Sequence, residues 1–230
     1  MDLAFPGNSQ GDTTEAIASM ILQHTKDSFW GLILNSAPPH YEDAPHIQVY
    51  KSDNSVKKMC HDLKIETVRK QKEYSTQKVN LFHHWQEQEI SSVMISAGAP
   101  RTINLQQCEN LFQGILNFMK VEGILKDHRN KNSENKGKTQ IYKPDEEILV
   151  KTSTAGIFLQ EVEVGSYLKQ GQKIGEVRDI YSGKRLEELI SSEDGLLITL
   201  RQYPIVYEKE PVAIILKAKN SWREYFPWSR

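Results

Sequence analysis

The sequence predicts an α/β fold in which a mostly parallel sheet domain is followed by a small all-β barrel. Three observations predict it. Before residue 127, apolar runs of strand length alternate with stripes at helical spacing, the pattern of an α/β layer. After residue 145, short β-type runs are punctuated by glycines, as in a small antiparallel barrel or sandwich. Between the two, residues 127–140 contain no apolar residue and read as a flexible connection. The expected division is therefore a partial α/β domain at 1–126, a linker at 127–145, a β-barrel at 146–218 and an aromatic tail at 219–230 that docks on the body or on a partner. Proteolysis is expected to cut first in the apolar-free run, where backbone is exposed and flexible.

Each element has a local reason. Asp12 stands where a helix N-cap is expected, and Glu15 follows three residues on, as in a capping box. Ile17, Met20, Ile21 and His24 continue that helix at the right spacing. Phe29–Leu34 is a short continuous apolar run, the pattern of a strand buried on both faces. His46–Tyr50 and Ser92–Ser96 are further strands. Val56, Met59, Cys60 and Leu63 form a helical stripe, and so do Leu105, Cys108, Leu111, Phe112, Ile115, Leu116 and Met119, with Asn104 near the start. Beyond the linker, strands are expected at 148–151, 156–162, 173–177, 196–200 and 212–216. Gly165, Gly171, Gly183 and Gly195 mark the turns between them.

Composition narrows the function. A net charge of −1 argues against a nucleic-acid partner, which would favour a basic face. No run of 18 apolar residues suggests a membrane span, and the N-terminus lacks the basic and apolar regions of a signal peptide. Cys60 and Cys108 both lie on apolar helical stripes and are expected as buried free thiols, which fits a reducing cytoplasm. His83 and His84 are adjacent on a helical stretch, about 100° apart, and do not readily share a metal. No phosphate-loop glycine pattern occurs.

The order of the motifs resembles that of one family. Ala155-Gly156-Ile157-Phe158, Val164-Gly165, Lys169 to Val177, Asp194-Gly195-Leu196 and Tyr203-Pro204-Ile205-Val206 are similar to the C-terminal barrel of the succinylglutamate desuccinylase/aspartoacylase family. That barrel also resembles lipoyl and biotinyl carrier domains, but no Met-Lys-Met-type sequence stands here to carry the modification. In the first half, Asp2-Leu3-Ala4-Phe5-Pro6-Gly7 looks like the family's Asn-Arg-x-Phe-Pro-Gly, and Gly11 to Ala18 looks like its Gly-Ser-x-Thr-Glu-Arg-Ile-Ala helix. Ile33-Leu34-Asn35-Ser36-Ala37 looks like its Asp-Leu-His strand end, and Ser96-Ala97-Gly98 sits where the family has Glu-x-Gly.

The resemblance implies an N-terminally incomplete, zinc-carboxypeptidase-like domain with the barrel behind it. The family reaction is hydrolysis of an N-acyl amino acid by zinc-activated water. It implies equally that the chemistry is degenerate. The family's His-x-x-Glu is expected upstream of Met1. Its third ligand, a His, is Asn35, and the preceding Asp is Ile33. Its catalytic Glu is Ser96, and its substrate-binding Asn-Arg is Asp2 and Leu3. The expectation is a non-catalytic binding or scaffold protein that binds no zinc itself. It is expected to be cytoplasmic, with self-association or a companion polypeptide covering strand edges at 29–34 and 92–96. The alternative is an active zinc amidohydrolase completed by a companion chain, or by a relocated metal site using His40 and His46.

Overall fold

The computed structural model describes residues 4–50, 53–72, 80–126 and 139–219. Contacts divide the chain into two compact units. One comprises Met1–Asn35, His46–Ser96 and Cys108–Pro144; the other comprises Ser36–Pro45, Ala97–Gln107 and Asp145–Arg230.

The first unit alternates helices and strands. It holds α1 (Thr13–Thr25), β1 (Trp30–Asn35), the second part of β2 (Tyr41–Val49), α2 (Asn54–Asp62), β3 (Thr67–Lys70) and α3 (Leu81–Glu87). Most of β4 (Ser91–Gly98) and α4 (Leu105–Val121), and all of β5 (Gln140–Tyr142), complete it. The capping box at α1 forms as the sequence indicates: Asp12 Oδ1 accepts from the Glu15 amide at 2.9 Å, and Glu15 Oε2 accepts from the Asp12 amide at 3.2 Å. Asp53, Asn80 and Asn104 accept from backbone amides at the starts of α2, α3 and α4 in the same way. The strands run in the order β1-β4-β2-β3-β5, and the β1–β4, β2–β3 and β3–β5 pairings are parallel. The core joins Ile47, Val49, Val68, Val93 and Ile95 of the sheet to Val56, Met59, Cys60 and Leu63 of the α2 region and Phe118 of α4.

The structure corrects four expectations here. Phe29–Leu34 is not buried on both faces: β1 ends the strand order among the described residues, leaving Phe29 86% and Leu34 61% exposed. The 92–96 strand has no open edge, because β4 lies between β1 and β2. Cys108 is exposed, because α4 buries the line through Gly114 and Phe118 while Leu105 and Phe112 face outward. The expected linker is in part a strand: Gln140–Tyr142 pairs with β3, while residues 127–138 lie outside the described residues, as does most of the aromatic tail.

The second unit is antiparallel. The region expected as a barrel forms two sheets around one core. One contains β6 (Glu147–Lys151), β8 (Tyr167–Leu168), β11 (Gly195–Arg201) and β13 (Pro211–Lys217), with Tyr41–Asp43 of β2 also paired to β11. The other runs β10-β9-β7-β12, where β7 is Gly156–Gln160, β9 is Lys173–Arg178, β10 is Arg185–Ile190 and β12 is Ile205–Val206. Phe158, Ile174, Val177 and Leu189 from this sheet meet Leu168, Leu197, Leu200, Val212 and Ile215 from the first. Gly175 is needed for close approach: a Cβ there would lie 2.3 Å from the Leu159 carbonyl oxygen. Buried Asp43 accepts a 2.6 Å hydrogen bond from its register partner Thr199.

Candidate functional site

Two of the sequence-indicated positions, Asn35 and Ser96, lie at the carboxyl ends of β1 and β4. Those strands are parallel and in a register that pairs Asn35 with Ser96. In open α/β sheets this is where ligands bind. Asn35 is exposed and its amide donates to Met94 Sδ at 3.8 Å, a weak contact. Ser96 is 1% exposed. Ile33, one turn of the pleat earlier, is apolar and sits opposite Met94. Asp2 and Leu3 lie outside the described residues.

This donor set does not fit a zinc ion, which takes imidazole, thiolate or carboxylate. A neutral amide held against a thioether and a buried hydroxyl supply none of these. Among the described residues, no three of His, Cys, Asp and Glu are placed to hold a metal ion.

The two histidines considered for a relocated site do different work. His46 is fully buried on β2, with Gln48 Nε2 at 3.2 Å and buried Arg69 Nη1 at 3.4 Å from its Nε2. Both neighbouring atoms carry N–H groups, so His46 is built into a buried polar contact on β2 and β3. A guanidinium already occupies the direction from which a cation would approach. His40 instead is exposed in a turn, its ring 4.5 Å from that of Tyr203. His83 and His84 both face Glu87, at 3.0 and 3.6 Å.

The cysteines differ in the same unit. Burial pushes the Cys60 thiol up to about 12. Native protein is therefore expected to take up one alkylating label, at exposed Cys108. Cys60 should react more than about a thousandfold more slowly than an ordinary thiol until the chain unfolds. Mass spectrometry after timed labelling checks this; rapid double labelling would contradict it.

The second unit contains a cavity of about 430 Å³ walled by Pro39–Glu42, Ala99–Thr102 and Gln202–Tyr203. Two of its walls are turns of the same design. In Pro38-Pro39-His40-Tyr41 the Tyr41 amide donates to the Pro38 carbonyl at 3.1 Å, and His40 has φ 77°. In Ala99-Pro100-Arg101-Thr102 the residue after proline, Arg101, has φ 66°. Proline followed by a left-handed residue is the pattern of a type II turn, where glycine is the easy occupant. A non-glycine residue there costs about 1–2 kcal/mol. The His40 carbonyl is held by the Gln202 and Tyr203 amides at 2.7 and 3.2 Å.

Glu42 takes a hydrogen bond from Gln202 Nε2 at 2.9 Å. Its carboxyl lies above the usual range because it is partly desolvated and faces Glu163 and Asp43. The prolines at 39 and 100 announced turns in the sequence, but nothing announced that His40 and Arg101 would hold left-handed conformations beside one cavity.

A parallel sheet with helices in one unit and antiparallel sheets in the other define a mixed α/β protein. The particular fold is that of the succinylglutamate desuccinylase/aspartoacylase proteins. The ectoine utilization protein EutE (DoeB) from Ruegeria pomeroyi is similar at a TM-score of 0.75 and 16% identity, covering 94% of this chain and 69% of that one. A succinylglutamate desuccinylase/aspartoacylase from Rhodobacter sphaeroides is similar at 0.72 and 16%, over 95% of this chain and 67% of its own. An aspartoacylase family protein from Mesorhizobium loti is similar at 0.73 and 18%, over 95% and 66%. The chain thus spans about two thirds of those structures. No protein-family model matches it, and no curated protein matches it by sequence. No helix among the described residues is long and apolar enough to cross a membrane.

Proposed function

We propose that this chain is a non-catalytic relative of the N-acyl amino acid deacylases, a binding or scaffold protein built on their fold. The observation that carries this reading is the Asn35–Ser96 rung. On the motif resemblance, one of these positions holds a metal-binding imidazole in the enzymes and the other a carboxylate that manages the protons of water. Here they are an amide and a buried hydroxyl. Loss of a general base alone is worth about 10²–10⁴ in rate. Without a metal, water is not acidified towards a pKa near 7.

The test is metal content of protein purified without chelators, together with an amide-hydrolysis assay before and after zinc addition. The expected result is no stoichiometric zinc and no turnover of N-acetyl amino acids. Stoichiometric zinc with turnover would overturn the reading. Loss of both on His40→Ala or His46→Ala would locate a relocated site.

A further inference from the structure

We infer that the outer edge of β1 is a self-association site, where two copies of this chain pair their β1 strands antiparallel about a two-fold axis at Leu32. Sheet edges are normally blunted by shortness, charge or proline. The other edge strands among the described residues follow that rule. β5, β8 and β12 are three residues long or shorter, β6 carries Glu147 and Lys151, and β10 carries Arg185, Glu187 and Glu188. β1 uses none of these devices. Its six residues, with Phe29 before them, contain neither a charge nor a proline. An edge left in that state is a template for another strand.

The occupant is a second copy because the strand is complementary to itself. A two-fold axis normal to the sheet keeps each face on its own side, so a residue faces only residues of its own parity. Centred on Leu32, the pairing sets Leu32 against Leu32, Trp30 against Leu34 and Gly31 against Ile33. Apolar meets apolar throughout, and no charge is buried. A centre at Gly31 would set Ser28 against Leu34, and one at Ile33 would set Ser36 against Trp30.

Both faces of β1 gain cover. Trp30 and Leu32 are partly buried against the core that includes Phe118, with Leu34 exposed beyond them. On the other face Gly31 lies against Trp85 of α3, which is tied to Thr25 of α1 by a 2.9 Å hydrogen bond. α1 buries Ala18 alone of its thirteen residues, and Met20 and Phe29 stand exposed. A helix with so little cover has an apolar stripe to spare. The same register sets Phe29 of the second copy across from Asn35, so each copy lends an aromatic ring to the other's strand ends.

The experiment is sedimentation velocity of the whole protein from about 1 to 200 μM. A six-residue edge makes a small interface, of the class below about 1,200 Å² that transient complexes use, so a monomer–dimer shift in the micromolar range is expected. Phe29→Lys and Leu34→Lys change exposed side chains and should each weaken the dimer at least about tenfold, with far-ultraviolet circular dichroism unchanged. Leu149→Lys, on the edge strand β6, should leave it unchanged. The register is read by oxidising the Phe29→Cys/Asn35→Cys double variant in a Cys108→Ser background. Residues directly opposite have Cα atoms about 4.5–5.5 Å apart, within disulfide reach, so a cross-linked dimer is expected. Either cysteine alone stands about 20 Å from its copy and should not cross-link.

A monomer at every concentration, a dimer that both lysine variants leave intact, or a dimer lost in Leu149→Lys would overturn the inference. Single-cysteine variants that cross-link as fast as the double variant would overturn it too. A monomer that holds a different polypeptide, released by Leu34→Lys, would give the edge to another chain and overturn the second copy as its occupant.

Discussion

Arg201→Leu is expected to lower stability by about 3–5 kcal/mol, read as a shift in the urea midpoint. Arg201 is 3% exposed at the end of β11. Its guanidinium donates to the Tyr203 carbonyl at 2.9 Å, to the Ile205 carbonyl, to Glu210 Oε1 at 2.9 Å and to the Tyr41 hydroxyl at 3.3 Å, and it lies 5.6 Å from the centre of the Tyr41 ring. Leucine replaces the volume but leaves two carbonyls unsatisfied and Glu210 without its cation. Deleting one member of such a network costs far more than the net worth of the whole. Arg201→Lys should recover less than half of the loss, because the three donors of an ammonium radiate from one atom and cannot reach four acceptors spread around a planar fork. A midpoint within about 0.5 kcal/mol of the parent would show that water substitutes for the guanidinium.

Gly114→Ala is expected to destabilise by about 1–3 kcal/mol, the reverse of the usual sign. In an exposed helix interior the same change stabilises by about 1 kcal/mol, because alanine has less backbone entropy to lose. Gly114 is buried in α4, and a Cβ there would fall 2.3 Å from the Leu63 carbonyl oxygen at the end of α2. That atom is backbone and cannot swing aside. The approach is held from both sides, since Asn117 Nδ2 donates to the Asp62 carbonyl at 2.6 Å and Lys58 pairs with Glu122 at 2.6 Å. Asn117 thus satisfies a carbonyl that the end of α2 leaves over. Thermal unfolding checks the sign. A raised midpoint would mean that α4 moves away from α2 without loss.

The elements legible in the sequence were those whose signals are local. Asp12 and Glu15 announced α1, Phe29–Leu34 announced a strand, and the glycines at 165, 171 and 183 announced turns of the second unit, whereas Gly195, expected at a turn, opens β11. What was not legible depended on neighbours distant in sequence. Thr67–Lys70 has one apolar residue, Val68, among three polar ones, yet it is a strand between β2 and β5, with Arg69 buried against His46. Arg185–Ile190 is mostly exposed and carries no apolar alternation, yet it pairs with β9 along its length. The stripe from Leu105 to Phe112 looks like a core face, and only the position of Gly114 explains why the buried line runs elsewhere. At the strand ends, the motif order located Asn35 and Ser96, but their pairing on one rung is a matter of register that no single motif encodes. The cavity was out of reach for the same reason, since its walls come from three separate stretches of chain.

The two members of that rung have unequal freedom to change. Asn35 is exposed at the edge of the sheet, so most replacements there should cost within about 0.5 kcal/mol. Ser96 is enclosed, and a longer side chain must displace its surroundings at about 1–3 kcal/mol, with a further penalty if it carries an unpaired charge. On the proposed reading, an imidazole at position 35 would therefore be accommodated more easily than a carboxylate at position 96.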